Sequence, residues 1–419
     1  MEPVHSVGRG FFPLDKELDL DSSDLTPHAQ EGLVRLSAWV TFAPAAQLLQ
    51  ALLGVQVSKA SERRFTLQAG EAVCQDWEKQ AEDLMHEVPE APVVASKQVM
   101  SADGAMVPLV GGVWAEVKTM VIGEVTASEP GEVQVSKLSY CSRLTDVPGF
   151  EKATLVETHR RGLEHAHEVA VVMDGAEWLQ GVIEYHRADA VRILDFAHAA
   201  EYVNAIGEGV RQAGYHVPKN WLAGVLHRLK HEGPDRVLKH LARVCQRCKD
   251  AALDKKLQYL GARSHQMQYP SYQAAGWPIG SGMVESANKL VVEARLKGAG
   301  MHWKRENVNP MLSLRNAVCN DRWQETWHVS RKQHQQEQQR AREEHKQQRM
   351  EHAAAQFLLL LLQCSPLRSR LMEPSVPAVL NSPTAISASA DAGGRRPSAT
   401  HPWRRFRAVR STEAAHAKI

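Results

Sequence analysis

Long apolar runs are missing from this chain of 419 residues, which excludes a membrane-spanning helix on sequence grounds. The longest run, residues 357–362, is far shorter than the roughly 20 residues needed to cross a bilayer. Cysteine is also scarce: the six cysteines are scattered, and the first residues form no apolar signal core. Together these features favour reduced thiols in the cytoplasm and predict no membrane partner.

The chain also lacks a marked net charge and the common catalytic motifs. A formal charge of +2 does not indicate a nucleic-acid partner by itself, so any basic surface has to be local. No P-loop, HExxH or GxSxG motif is present to support nucleotide, zinc-protease or serine-hydrolase chemistry. Hydrophobic residues make up 43% of the chain, which is enough for a sizeable core.

Two short apolar runs lie at the centre of the sequence, and each ends at an aspartate. Residues 169–173 predict a buried strand ending at Asp174, and residues 190–194 predict a second strand ending at Asp195. The segment between them has helical spacing, so the two strands should be parallel, and ligands of such sheets bind beyond the carboxyl ends of the strands. Each aspartate is therefore either a ligand-binding residue or a turn or helix-cap residue.

Three alternating runs precede this unit and predict a three-strand meander. They cover residues 98–102, 114–124 and 132–144, with Asp103 directly after the first run. A predicted helix over residues 148–166 then leads into the strand that ends at Asp174. This order favours an α/β fold with a ribonuclease H-like mixed sheet, β-β-β-α-β-α-β-α.

The N-terminal part has helical spacing and the outline of a helix-turn-helix. A helix ends at Gly54, and Ser58 can cap the next helix, which begins with three basic residues, Lys59, Arg63 and Arg64. This outline favours an all-α DNA-binding domain, although helical hairpins without DNA contacts share it.

The remaining segments predict further divisions of the chain. Residues 199–269 have only helical spacing and predict an insertion, in which Cys245 and Cys248 form a lone CxxC that favours two reduced thiols over zinc. The Arg-rich, aperiodic end predicts a disordered tail that could hold phosphates non-specifically. The predicted divisions are an N-terminal domain (1–90), a catalytic core in two parts (93–198 and 270–330), the insertion (199–269), a polar helix (331–365) and the tail (366–419).

Glu285 is the third acidic residue of interest. It lies near the start of a helix that Ser281 can cap, where a carboxylate can also serve only as a partner of the helix dipole. Asp103, Asp174 and Glu285 nevertheless have the chain order that brings three carboxylates together in a ribonuclease H-like fold. Close carboxylates repel unless cations lie between them, and two Mg²⁺ ions about 4 Å apart can catalyse phosphodiester transfer.

These residues lie in segments that resemble bacterial insertion-sequence transposases of the DDE type, in the branch akin to Mutator-like elements. The resemblance covers most of residues 10–330. Its strongest segments are SADGAMVPLVGGVWAEVKTMVIGEV, VVMDGAEWLQ with ADAVRILDFAHAAEYV, and GWPIGSGMVESANKLVVEARLKGAGMHW.

The resemblance implies a transposase that cuts the ends of its own element and joins them to target DNA. Asp103, Asp174 and Glu285 would be the metal-holding triad for two Mg²⁺ ions, which Mn²⁺ can replace. Asp195 and His198 match a D-x-x-H motif beside the active site, and Asp195 is the alternative second carboxylate because it also ends a strand.

The implied partners are the double-stranded DNA of the element ends and of the target, bound by a homo-oligomer in the bacterial nucleoid. The helix with Lys59, Arg63 and Arg64 would read bases in a major groove, whereas the insertion and the tail would hold phosphates. The alternative function is a catalytically inactive DNA-binding protein or repressor derived from a truncated element.

Overall fold

Among the described residues, five strands form one mixed sheet in the order β3-β2-β1-β4-β5. A computed structural model describes residues 25–87, 89, 96–127 and 133–364. The strands are β1 (Lys97–Pro108), β2 (Trp114–Ala127), β3 (Val133–Arg143), β4 (Glu168–Met173) and β5 (Val191–Leu194). β1, β2 and β3 form an antiparallel meander, whereas β4 pairs in parallel with β1 and with β5. The predicted mixed α/β architecture is confirmed.

Helices account for most of the other described residues. Before and between the strands lie α1 (Pro27–Trp39), α2 (Phe42–Leu53), α3 (Lys59–His86), α4 (Val147–Arg160) and α5 (Glu177–Arg187). After β5 come α6 (Phe196–Gln212), α7 (Trp221–Glu232), α8 (Pro234–Cys248), α9 (Ala251–Ala262) and α10 (Tyr269–Ala274). The chain continues with α11 (Gly282–Ala287), a π-helical segment (Asn288–Glu293), α12 (Ala294–Leu296), α13 (Val308–Cys319) and α14 (Trp323–Cys364).

The alternation of side chains along β1 explains why helices cover both faces of the sheet. Val99 packs with the buried residues of α6 to α9, and its neighbour Met100 packs with those of α4 and α5. Successive residues of a strand point to opposite faces, so an apolar run such as β4 requires a cover on each side. The sheet is therefore the middle layer of three.

The ends of the N-terminal helices follow the predicted local signals. The Thr26 side chain accepts a hydrogen bond from the Ala29 amide (3.3 Å), and Ser58 accepts one from the Ser61 amide (3.0 Å). Gly54 ends α2 with φ of 68°, a left-handed conformation that favours glycine. The predicted helix, turn and capped helix are thus present.

Two predicted boundaries fall inside continuous structure. β1 does not end at Ala102, because Asp103 and Gly104 continue the pairing with Thr119 and Lys118 of β2. The predicted division at residues 198 and 199 falls inside α6, whose buried residues Val203 and Ile206 pack against the sheet. The insertion thus shares a core with the strands.

The N-terminal helices also share a core with later parts of the chain. Leu33 of α1 and Phe65 of α3 pack in one cluster with Leu314 of α13. At Gly70 of α3, an added Cβ would lie 2.3 Å from the carbonyl oxygen of Pro310, so the two helices touch closely there. The predicted domain of residues 1–90 is therefore in direct contact with α13.

The chain divides into two compact units between Ser330 and Arg331, within α14. The second unit contains the part of α14 after Ser330. This part is mostly polar, but it exposes the apolar side chains of Met350, Phe357 and Leu358. The predicted tail of residues 366–419, including Arg395, lies outside the described residues. Among the described helices, none combines the length and apolar character needed to span a membrane.

Candidate functional site

Three aspartates lie at one level across neighbouring parallel strands. Met100 of β1 pairs with Val171 of β4, and Asp103 and Asp174 each lie three residues beyond that pair. The last pair of β4 and β5 is Met173 with Leu194, so Asp174 and Asp195 directly follow it. The parallel register therefore brings together the three aspartates that were predicted from the sequence.

Asp103 and Asp174 interact electrostatically. Partial burial raises the pKa of Asp103, and the negative charges of Asp174 and Glu116 raise it further. Two hydrogen bonds oppose this rise, from the Gly104 amide to Oδ1 (2.7 Å) and from Asn288 Nδ2 to Oδ2 (3.0 Å). A cation placed between two neighbouring carboxylates relieves their repulsion and stabilises the charged form of both.

The turn after Asp174 is held by the helical insertion. The hydroxyl of Tyr259 on α9 donates to the Asp174 carbonyl (2.5 Å), and Arg263 Nη2 donates to the Gly175 carbonyl (2.8 Å). The Arg263 guanidinium also lies over the Tyr259 ring, 3.8 Å from its centroid. The Asp174 carboxylate itself accepts a hydrogen bond from the Ala176 amide (2.8 Å).

The Asp195 carboxylate differs from those of the other two aspartates in its burial and its hydrogen-bond partners. It is 5% exposed, and its Oδ1 accepts a hydrogen bond from the Ala197 amide at the start of α6 (2.8 Å), as predicted. Its Oδ2 accepts a hydrogen bond from the Ser281 hydroxyl. The prediction that Ser281 caps α11 is wrong, because its side chain is directed to Asp195 and makes no capping hydrogen bond.

His198 lies in the first helical turn of α6 and contacts Tyr259, which bonds the backbone of Asp174. Its ring makes edge contacts with Tyr202 and Tyr259, at centroid distances of 5.2 and 6.1 Å, and Nδ1 lies 3.7 Å from Glu201 Oε2. Through Tyr259, His198 is one side chain removed from the Asp174 backbone. Its contact with DNA stays a prediction.

Glu285 lies on α11 and is exposed. Within the described part of the chain its carboxylate makes no hydrogen bond or ion pair, and no group of three His, Cys, Asp or Glu side chains is arranged to hold a metal ion. The side chain from this region that contacts Asp103 is Asn288, three residues later. Residues three apart in a helix lie on about the same side, so Glu285 is one turn away from that contact.

The basic residues proposed for DNA contact, Lys59, Arg63 and Arg64, are exposed on the first turns of α3. Arg64 lies over the Phe65 ring, 5.0 Å from its centroid. This end of α3 is thus available to a ligand, whereas Phe65 itself is buried.

A second basic surface lies on α8 in the insertion. Its exposed cations recur every three or four residues, which places them along one side of the helix: Arg236, Lys239, Arg243 and Arg247. Burial lowers the pKa of His240, and the positive charges of Arg228 and Arg243 lower it further. On the same helix Cys245 is buried, which raises the pKa of its thiol to about 11.

Several residues beside the aspartates are not predicted by the sequence. Glu116 and Lys118 on β2 form an ion pair (3.0 Å) next to Gly104, and only strand register reveals this neighbourhood. Tyr259 and Arg263 are far from Asp174 in sequence. Of these residues, Asn288 could have been inferred from the sequence, because it lies one helical turn after Glu285.

No protein-family model and no curated protein sequence matches this chain.

The residues present fit a divalent cation such as Mg²⁺. Mg²⁺ prefers oxygen ligands and is usually held by one or two carboxylates while it keeps several waters. Asp103 and Asp174 provide two such carboxylates, and the buried Oδ1 of Asn288 has no hydrogen-bond partner among the described residues. The donor set therefore consists of hard oxygens and lacks the thiols and imidazoles typical of zinc sites.

Proposed function

We propose that the protein is a DDE-type DNA transposase, which cuts and joins phosphodiester bonds at the ends of an insertion sequence with divalent cations. The observation that carries the proposal is the position of Asp103 and Asp174 at one level of two adjacent parallel strands, where the charge of Asp174 raises the pKa of Asp103. Two carboxylates in this relation favour a cation between them.

The sheet supports a ribonuclease H-like fold as part of the proposal. An antiparallel meander precedes two parallel strands that α5 connects, which is the chain order expected for such a domain. The Glu-bearing helix α11 packs against the same sheet, through the buried residue Val284.

Each side chain has a separate part in the proposed reaction. Mg²⁺ or Mn²⁺, when bound as two ions, would supply a Lewis acid at the scissile phosphate. Asp103 and Asp174 would hold the cations, and Glu285 would complete the triad from α11. Tyr259 and Arg263 keep the Asp174 turn in place. Asp195 is bonded to Ser281 and to the start of α6, so it orients the loop before α11.

The proposed partner is double-stranded DNA. Because the cleavage site contacts only phosphates and metal ions, sequence selection would come from base contacts of Arg63 and Arg64, with Lys59 on nearby phosphates. The exposed cations of α8 would add sequence-independent affinity. Cutting two element ends in one event requires two active sites, so the working form would be a homo-oligomer on DNA.

Metal-dependent cleavage of labelled DNA from the ends of the element tests the enzyme. Asp103→Asn, Asp174→Asn and Glu285→Gln should each abolish cleavage and leave DNA binding intact. Asp250→Asn is the matched control, because Asp250 accepts the same type of local amide hydrogen bond, from Ala252 (2.8 Å). Loss of activity in Asp195→Asn together with full activity in Asp174→Asn would reverse the assignment of the second aspartate.

One observation favours a second candidate function. Glu285 is exposed, its carboxylate makes no hydrogen bond or ion pair within the described chain, and no three acidic side chains there are arranged to hold a metal ion. A protein with an incomplete triad would act as a DNA-binding repressor. Unchanged binding of the element ends without cleavage under any divalent cation would support the repressor and contradict the transposase.

A further inference from the structure

The region after Glu285 does not continue as a regular α-helix. Residues Asn288–Glu293 are π-helical, and the Ala294 amide donates to the Lys289 carbonyl, five residues earlier. Single π-turns within α-helices are rare and occur frequently at functional sites. Here the π-helical segment begins at the residue that contacts Asp103.

Arg315 of a neighbouring helix, α13, bonds the backbone of this π-helical segment. Arg315 on α13 is 1% exposed, and its guanidinium donates to the carbonyls of Leu290 and Val291 (3.2 Å for Val291). The same guanidinium donates to the Ala38 carbonyl of α1 (2.9 Å). Charge-assisted hydrogen bonds from a buried cation to two carbonyls of the segment stabilise the unusual winding that begins at Asn288.

Asn288 is 6% exposed, and the two polar atoms of its side-chain amide have different surroundings. Nδ2 donates to Asp103 Oδ2, whereas Oδ1 is buried without a hydrogen-bond partner among the described residues. A carboxylate accepts hydrogen bonds, so the amide nitrogen must face Asp103. The amide oxygen then needs a different partner. A buried carbonyl oxygen without a hydrogen-bond partner is unfavourable, which points to a ligand that binds there.

We infer that Asn288 is a further ligand-binding residue of this site, whose Oδ1 contacts a divalent cation held by Asp103 and Asp174, directly or through one bound water. The inference rests on the proposed function, because it takes the cation from there. It adds a neutral oxygen ligand that the acidic triad does not contain, and its Nδ2 positions Asp103 at the same time. The site then has three oxygen-bearing side chains before Glu285 is counted.

The test is Mn²⁺ binding to the full chain without DNA, followed by electron paramagnetic resonance of the free ion. Asn288→Leu removes both polar atoms of the amide at similar volume and should weaken Mn²⁺ binding by about tenfold or more. Asn288→Asp keeps an oxygen at this position and should bind Mn²⁺ at least as tightly as the wild type. Asn316→Leu is the matched control, since Asn316 is buried and its side chain bonds the backbone of Ser142 on β3, two strands away from Asp103.

The outcomes separate this inference from the proposed function. Wild-type affinity in Asn288→Leu, with binding lost in Asp103→Asn, would refute the role of Asn288 and leave the transposase proposal standing. Equal losses in Asn288→Leu and Asn288→Asp would reduce Asn288 to a positioning residue for Asp103 and refute its contact with the cation. Absence of Mn²⁺ binding in the wild type would contradict both proposals.

Discussion

The hydroxyl of Tyr259 donates a hydrogen bond to the backbone carbonyl of Asp174, at an oxygen–oxygen distance of 2.5 Å. Burial raises the pKa of Tyr259 to about 12, so the hydroxyl stays a donor throughout the working pH range. The bond joins two residues that are 85 positions apart in the chain. It makes the helical insertion part of the support of the candidate site.

Tyr259→Phe should therefore impair catalysis more than stability. The variant loses one hydrogen bond, at a cost of about 1 kcal/mol in the free energy of unfolding. A displaced Asp174 should lower the cleavage rate between about tenfold and a hundredfold, because reactions at positioned groups are sensitive to small shifts.

Tyr215→Phe provides the matched control for this experiment. Tyr215 also lies in the insertion and donates to a backbone carbonyl, that of Arg247 (2.7 Å), but it is exposed. Its loss should leave the single-turnover cleavage rate unchanged. Equal rates for Tyr259→Phe and Tyr215→Phe would show that the insertion does not position Asp174.

Gly175→Ala should damage the same turn by a different route. Gly175 has φ of 82°, and an added Cβ would lie 2.5 Å from Tyr259 Oη and 2.7 Å from Arg263 Nε. Gly214→Ala is the control, because Gly214 has φ of 87° and open space around the added Cβ. The control should lose about 1–2 kcal/mol of stability from backbone strain alone.

Gly175→Ala should lose more stability than Gly214→Ala and should also lose cleavage, since the added methyl group displaces the two side chains that hold the turn. Urea unfolding compares the stabilities, and cleavage of labelled DNA compares the rates. If both variants were equally stable and equally active, the contacts of Tyr259 and Arg263 with this turn would have no consequence.

Glu62 predicts a pH dependence of stability. It is fully buried on α3, which raises its pKa from 4.5 to about 7, against the lowering effects of Ser37, Arg295 and Lys59. The folded state thus binds the proton more tightly than the unfolded state. The stabilising contribution is fully present below pH 4.5 and is lost as the pH rises to about 7.

Glu62→Gln should remove this slope. Relative to the variant, the wild type should lose about 3 kcal/mol of unfolding free energy across that window, from 1.36 kcal/mol per pKa unit. Chemical unfolding at several pH values measures the difference, with Glu71→Gln on the exposed side of α3 as the control. Parallel pH profiles for the wild type and Glu62→Gln would contradict the buried-acid interpretation.

The cations on α8 should contribute salt-sensitive DNA affinity. Replacing Lys239, Arg243 and Arg247 together by Gln should weaken binding of element-end and scrambled DNA by the same factor. The slope of log affinity against log salt should fall by about 2–3, at roughly 0.9 per phosphate contact. An unchanged salt slope would show that this side of α8 does not face DNA.

Arg63→Ala and Arg64→Ala should instead reduce the preference for element ends, by about 1–3 kcal/mol for each lost base contact. Point substitutions suit this test because α1 and α3 pack against α13, and removing them would expose Leu314 and its neighbours. A competition assay at physiological salt measures the preference. The same ratio of affinities in the wild type and both variants would move sequence recognition elsewhere.

The sequence determined the local structure of this protein and the positions of its aspartates along the chain. The β-branched run before Asp174, the capping residue Ser58 and the left-handed Gly54 each act within a few residues, where propensity and hydrogen bonding decide the conformation. Parallel pairing of β4 with β5 also followed from the strand–helix–strand order, so the neighbourhood of Asp174 and Asp195 was predictable.

Tertiary structure alone decided which side chains surround those aspartates. Asn288 contacts Asp103 at the start of a π-helical segment whose carbonyls Arg315 bonds from another helix, and no local pattern encodes that contact. Likewise, Ser281 bonds Asp195 instead of capping its own helix, and it thereby supplies a donor to the second oxygen of a buried carboxylate. Such contacts depend on where whole elements pack, which is a property of the complete core and not of any single stretch of sequence.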